Sequence, residues 1–280
     1  MGFVIDSLRS GDLEEGLRLS TQAGWNQTPG DWKRAFDLCP DGCLAGRLDG
    51  RLVATGNVAA LGPKIRWIGL ILVDEGLRGR GYGSLMMDRC LALARRQGDE
   101  IVGLDASDLG RPVYLKKGFV DVAPIDRWMG ILRGGVDPRE IRQLTLSSLP
   151  SLAELDQEAS GVDRSPLLSS MLRDPRGVCL ASYGMGLEGF LFLLPGRSCP
   201  HAGPVIARDE AVLGALLGAA ARHIQGAPVL MDVPRSRDNT PMLERSGLSV
   251  ARRLTRMTFG QSHPVLMGPM IRAAVSFTWG

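Results

Sequence analysis

The run Leu77-Arg78-Gly79-Arg80-Gly81-Tyr82-Gly83-Ser84 is where residue types and spacing point most directly to chemistry. It follows a strand-like apolar segment, Trp67 to Val73, and opens a helix-like one, Leu85 to Arg96. Glycines at 79, 81 and 83 remove side chains where a backbone turns tightly and another molecule comes close. Free amides at the start of the next helix point outward, and the helix dipole favours an anion there. Arg78 and Arg80 add positive charge. This pattern predicts a seat for phosphate or pyrophosphate at a strand-to-helix turn.

The spacing narrows which phosphate ligand fits. A Walker loop needs Lys-Ser or Lys-Thr after its last glycine, and here Ser84-Leu85 follows Gly83. A dinucleotide fingerprint needs G-x-G-x-x-G, which glycines spaced by two do not supply. What fits is Arg-x-x-Gly-x-Gly, at Arg78, Gly81 and Gly83. Downstream, Gly110-Arg111-Pro112-Val113-Tyr114-Leu115-Lys116-Lys117-Gly118-Phe119 reads as a short helix. Proline suits its first turn, and Gly118 suits the left-handed residue after its end. The two segments, in this order, resemble the acetyl-CoA pyrophosphate loop and the "LYEKLGF" helix of GNAT-type N-acetyltransferases.

That resemblance implies direct acetyl transfer: an amine attacks the thioester carbonyl and coenzyme A leaves as a thiolate. The sheet of such enzymes splays after the fourth strand. Backbone groups of Leu70, Ile71, Leu72 and Val73 would then hold the pantetheine arm, and one amide there would polarise the carbonyl. Arg78, Gly79, Arg80, Gly81, Tyr82, Gly83 and Ser84 would hold the pyrophosphate. Tyr114 would protonate the thiolate, a nearly matched transfer for a thiol near about 8.5 and a phenol near about 10. Strand four carries no carboxylate, so Asp105 on strand five is the nearest general base. The bland reading of Asp105 is a structural carboxylate at a strand end, with deprotonation through water.

The chain also appears twice over. Helix-like stretches ending at Gly24 and Gly161 correspond, as do Pro40-Asp41-Gly42-Cys43-Leu44-Ala45 and Pro175-Arg176-Gly177-Val178-Cys179-Leu180-Ala181. Leu104-Asp105-Ala106 is echoed by Met231-Asp232-Val233, and the helix before Gly118 by the one before Gly247. The copies lie closer together at Asp105 and Asp232 than at Gly24 and Gly161, so copy two has lost residues between. The loss includes the phosphate loop, since Gly203 to Glu210 runs straight into the helix from Ala211. Copy two also has Leu243 where copy one has Tyr114. This resembles tandem GNAT proteins with a degenerate C-terminal half, as do Ala23 to Thr28 and Gly161 to Arg164. The expected domains are 1–133 (catalytic), 134–140 (linker) and 141–280 (degenerate).

The fold these elements imply is α/β, a mixed sheet flanked by helices, in two tandem GNAT-like domains. Copy one reads as a strand Phe3 to Leu8, helices Asp12 to Gln22 and Pro29 to Asp37, and strands Gly42 to Leu48, Leu52 to Leu61 and Lys64 to Val73. The cofactor helix Gly83 to Gln97, strand Ile101 to Asp105, helix Gly110 to Lys117 and strand Val120 to Leu132 follow.

The rest of the chain excludes several classes. A net charge of +3 on 280 residues, 44% of them hydrophobic and 22% charged, describes an ordinary globular protein without a nucleic-acid surface. No apolar run is long enough to span a membrane, and the start of the chain has no signal-peptide pattern, so a cytoplasmic location is expected. The most apolar tail, Pro264 to Trp279, is broken by Gly268, Pro269 and Arg272. Five scattered cysteines read as reduced thiols, and no metal site is expected. The acceptor is an amine of a small molecule or peptide. A pocket shared by the two copies would recruit Trp25, Gln27 and Asp163, with Arg164 as a structural partner of the last. The competing reading is a non-catalytic acetyl-CoA sensor or interaction module, which has no need of Tyr114.

Overall fold

A computed structural model describes residues 2–96, 101–134, 139–235 and 239–280. Most of the expected linker, and Gln97 at the end of the expected cofactor helix, lie outside these residues. Two compact units form, and neither is one contiguous stretch. The first comprises Met1–Asp121, Met257–His263 and Trp279; the second comprises Val122–Arg256, Pro264–Thr278 and Gly280.

Unit 1 begins with β1 (Phe3–Ser7) and two helices, α1 (Leu13–Gln22) and α2 (Pro29–Leu38). Thr28 fixes the start of α2. Its hydroxyl oxygen accepts from the Asp31 amide at 3.3 Å, and the Asp31 carboxylate accepts from the Thr28 amide at 2.8 Å, with Pro29 next in line. The helices cross where α1 has Gly16, at which a Cβ would lie 2.7 Å from the Trp32 ring. The buried Trp32 indole donates to Ser20 Oγ at 3.1 Å, which fixes the crossing.

The antiparallel strands β2 (Cys43–Leu48), β3 (Arg51–Leu61) and β4 (Ile65–Val73) carry the β-branched and apolar runs of copy one. Helix α3 (Tyr82–Ala94) lays Met86, Met87, Cys90 and Ala94 on the sheet, a stripe of helical period, each fully buried. Each of the two methionines contributes roughly 1.5–3 kcal/mol by burial. β5 (Ile101–Ala106), α4 (Arg111–Lys116) and the start of β6 (Phe119–Ile131) follow. The strand order is β1-β2-β3-β4-β5, and beside β5 lies the end of β12 (Leu248–Phe259), whose residues from Met257 on belong to this unit.

Unit 2 repeats the plan. It contains β7 (Glu140–Leu144), α5 (Leu149–Ser160), α6 (Ser165–Leu172), β8 (Val178–Tyr183), β9 (Leu187–Leu194) and β10 (His201–Ala207). Next come α7 (Glu210–Ile224), β11 (Pro228–Pro234), α8 (Thr240–Arg245), most of β12, and β13 (Ile271–Ala273). Its order is β12-β6-β11-β10-β9-β8-β7, with β13 on β10. Helix α7, rich in alanine and leucine, is a packed core helix with Val212, Leu213, Leu216 and Ala220 buried. Both units therefore have the expected mixed sheet flanked by helices. Among the described residues no helix is long and apolar enough to cross a membrane.

Candidate active site

β4 and β5 begin as parallel partners and then part. Their pairing covers Ile65 with Ile101, Arg66 with Val102 and Trp67 with Gly103, although β4 runs on to Val73 and β5 to Ala106. On its other edge β4 stays paired with β3, but with a fault. Asn57 faces Gly69 and Thr55 faces Leu72, so Leu70 and Ile71 together face Gly56. Leu70 takes up this bulge with a left-handed φ of 51°. A buried non-glycine residue in that region costs on the order of 1–3 kcal/mol and persists only where its surroundings hold it.

Two residues of β3 hold it. The Thr55 hydroxyl, 1% exposed, donates to the Leu70 carbonyl at 2.8 Å. Gly56 leaves the space opposite, since a Cβ there would lie 2.7 Å from Cys90 Sγ and 3.0 Å from Ile71 Cδ1. Neither Thr55 nor Gly56 was marked as functional from sequence. The available signal was an isolated glycine inside a strand pattern, which marks a bulge or close backbone approach.

The glycine loop follows directly. Asp74 begins it, accepting from the Gly76 amide at 3.2 Å and from Arg18 at 2.9 Å, which hold its carboxyl below the usual range against the opposing effect of burial. Arg78, Gly79, Arg80 and Gly81 are exposed, and Arg78 Nε donates to the Val73 carbonyl at 3.3 Å. Gly79 and Gly81 have φ of 77° and 85°, with open space where a Cβ would stand. Gly81 is the N-cap of α3 and no side chain caps it, so the first-turn amides of that helix face outward. Gly83 is different: already helical, it would place a Cβ at an ordinary 3.5 Å from Val73. Tyr82 stacks on Phe3 at 4.3 Å and anchors the loop to the sheet, while Ser84 is half-buried in the first turn.

Tyr114 lies half-buried on α4, its ring 6.1 Å from that of Phe119. Gly110 admits it, because a Cβ at that residue would stand 3.0 Å from the phenol oxygen. Ile71, Val73 and Tyr114 pack against one core cluster that includes Cys90. Burial, and secondarily Cys90, push the phenol up to about 12. The expected near-match with a thiol does not hold here. Against a free thiol near about 8.5, full proton transfer is uphill by roughly 3–4 pKa units. A phenol that stays protonated is suited to donating a hydrogen bond to a thiolate.

The remaining predicted residues belong to other elements, each within its own unit. Trp25 and Gln27 are half-buried in the connection between α1 and α2, and Gln27 Oε1 is buried with no hydrogen-bond partner among the described residues. Asp105 is half-buried near the end of β5. Asp163 belongs to unit 2, where its carboxylate accepts from the Ser165 amide at 2.8 Å ahead of α6. Arg164 partners not Asp163 but the buried Asp156, bidentately at 2.9 and 2.6 Å. Unit 1 thus brings together the open edge of β4, the glycine loop and Tyr114. Among the described residues no group of three or more His, Cys, Asp or Glu is placed to hold a metal.

Residues 12–119 match the model described as Acetyltransferase (GNAT) family, and residues 152–268 a second described as Acetyltransferase (GNAT) domain. The chain belongs to the GNAT acyltransferase family, as a tandem of two such domains. It is 27% identical over 214 residues to the holothin acyltransferase of Pseudoalteromonas sp. (strain SANK 73390), which covers 75% of this chain and 71% of that one. Among solved structures, an acetyltransferase candidate from Pyrococcus horikoshii superposes with a TM-score of 0.88 at 22% identity, over 100% of this chain and 96% of the other. A tandem GNAT protein from the clavulanic acid biosynthesis pathway superposes with a TM-score of 0.64 at 13% identity, over 94% and 100%.

Proposed function

We propose that unit 1 transfers an acyl group, acetyl in the simplest case, from acyl-CoA to a primary amine of a small molecule or peptide by direct attack while both are bound. The carrying observation is the splayed edge of β4, from Leu70 to Val73, running into a left-handed glycine loop at an uncapped helix N-terminus. These residues fit the donor. Amides of the loop and of the first turn of α3, with Arg78 and Arg80, take the phosphates. Backbone groups of Leu70 to Val73 on the edge that β5 leaves take the extended arm, and the bulge fixes an amide against the charge that develops on the carbonyl oxygen. Acyl-CoA supplies the activated thioester. Tyr114 donates a hydrogen bond to the departing sulfur.

On the acceptor side, Gln27 Oε1 is a buried acceptor in want of a donor, which suits an amine N–H. Deprotonation of the amine runs through water, with Asp105 the nearest carboxylate on β5. The holothin acyltransferase is named for an acyl group without specifying acetyl, which supports keeping acyl groups other than acetyl open.

A thiol-release assay with acetyl-CoA across amines, amino acids, polyamines and peptides tests this. Tyr114→Phe should keep acetyl-CoA affinity while turnover falls by roughly 10²–10³-fold, the effect of losing one donor to a developing anion. Unchanged turnover would assign the role at sulfur to water or another group. Tight acetyl-CoA binding without turnover on any amine would favour the sensor instead.

A further inference from the structure

Unit 2 keeps the architecture of a cofactor slot. β9 and β10 are faulted as β3 and β4 are: Leu193 faces Ala202 and Leu191 faces Val205, so Gly203 and Pro204 together face Phe192. β10 and β11 also part early, pairing in parallel only at His201 and Leu230 although β11 runs on to Pro234. The opening is not empty. The segment from Met270 to Ala274, containing β13, lies in it as an extended strand.

This segment bonds to both sides. Toward β10, Ala273 pairs with Val205 and Ile271 with Ile206, and the Ala207 amide donates to the Met270 carbonyl at 3.0 Å. Toward β11, the Ala274 amide donates to the Asp232 carbonyl at 2.7 Å. Arg272 Nε donates to the Ala207 carbonyl at 3.2 Å and its Nη1 to Asn239 Oδ1 at 2.9 Å. Ile271, Ala273, Ala274 and Val275 are buried. The contact at the bulge is backbone on backbone: a Cβ at Gly203 would stand 2.2 Å from the Ala274 carbonyl oxygen.

We infer that the chain's own C-terminal strand is the resident ligand of the second slot. It takes the place that an extended pantetheine arm, itself an amide-bearing chain, takes along β4. The inference rests on the acyl-CoA reading of unit 1. The phosphate end of the second slot is closed by different means. The Asp209 carboxylate caps α7, accepting from the Val212 amide at 2.8 Å, and Glu210 adds negative charge to the first turn. Arg208, at the place of the loop, is held bidentately by Glu158 at 2.7 and 2.6 Å. A polyphosphate there would meet a helix end already satisfied by a carboxylate. The chain therefore has two slots of one ancestry and binds one acyl-CoA.

Calorimetric titration of the full chain with acetyl-CoA, paired with amide hydrogen exchange, tests this. The expected stoichiometry is one. The amides of Ala207 and Ala274 should exchange at least about 100-fold slower than unstructured amides with or without acetyl-CoA, while exchange within 70–73 slows further on its addition. Gly203→Ala should speed exchange at Ala274 at least about tenfold, leaving the titration at one equivalent. Should that variant not fold, Arg272→Ala removes the two side-chain bonds and should raise the same rate. Two equivalents, or unprotected Ala207 and Ala274 amides in the wild-type chain, would overturn the inference. A chain that binds no acetyl-CoA but protects those amides would overturn the acyltransferase reading and leave the occupied slot standing.

Discussion

Side chains set the chemistry here less by their own reactivity than by what they force the backbone to do. Leu70 is the example: its φ is left-handed, and the Thr55 hydroxyl and the space at Gly56 hold it there. Thr55→Val preserves shape and removes the hydroxyl, so the Leu70 carbonyl loses a buried partner at a cost of about 1–3 kcal/mol. If the bulge positions an amide for the reaction, kcat should fall at least about tenfold with a smaller change in acetyl-CoA affinity, and Thr55→Ser should restore it. Equal, modest losses in both valine and serine variants would make Thr55 a packing residue only. Buried thiols and Tyr114 give a second prediction. Desolvation raises Cys43 to about 11, Cys90 to about 12 and Tyr114 to about 12, and raises Cys179 as well. A folded pKa above the unfolded one means stability complete below pH about 9 and lost as pH climbs through the folded values, because the unfolded chain releases its protons first. The melting temperature, measured in reductant, should therefore decline steadily between pH 9 and 11. A flat profile would mean these groups are hydrated in the folded state.

Elements divide the glycine loop's work unevenly. Gly81 is left-handed and lies in open space, so Gly81→Val strains the N-cap and puts a side chain where the proposed pyrophosphate would lie. Acetyl-CoA affinity measured by calorimetry should fall at least about 100-fold with the fold retained, whereas Gly83→Ala, at an ordinary helical position, should cost less than about tenfold. Equal affinity in all three proteins would remove the loop from the binding site. The loop was legible in the sequence because glycine is the residue that tolerates positive φ, and so was Tyr114, because proline and glycine bracket its helix. The bulge was not, since nothing in the letters Gly-Leu-Ile-Leu announces a left-handed leucine; it follows from pairing with β3. The tail's place in the sheet was not legible for a related reason. Its apolar character was visible, but only the partner strands β10 and β11 explain why Ile271, Ala273 and Ala274 are buried.

At the scale of the whole chain, the duplication was visible as an echo of turns and helix ends, while the distribution of strands between units was not, because partner choice in a sheet is non-local. Unit 1 includes Met257–His263, far along the chain from the rest of it. Met257 is fully buried in the cluster that holds Phe119, and the Phe259 ring packs edge-on against Phe119 at 5.6 Å. Arg95 lies 4.9 Å over the Phe259 ring, and the Gly260 amide donates to the Gly118 carbonyl at 2.9 Å. Losing two such apolar side chains forfeits roughly 3–6 kcal/mol, a large part of the 5–15 kcal/mol that stabilises a typical domain. A fragment of residues 1–135, which holds every proposed cofactor contact, should therefore fail to bind acetyl-CoA, and should melt at least about 10 °C below the full chain or not cooperatively at all. Adding a peptide spanning residues 248–263 should recover binding in proportion to its own association. A bare fragment that melts and binds like the full chain would make those seven residues an ornament of unit 1 and not part of its core.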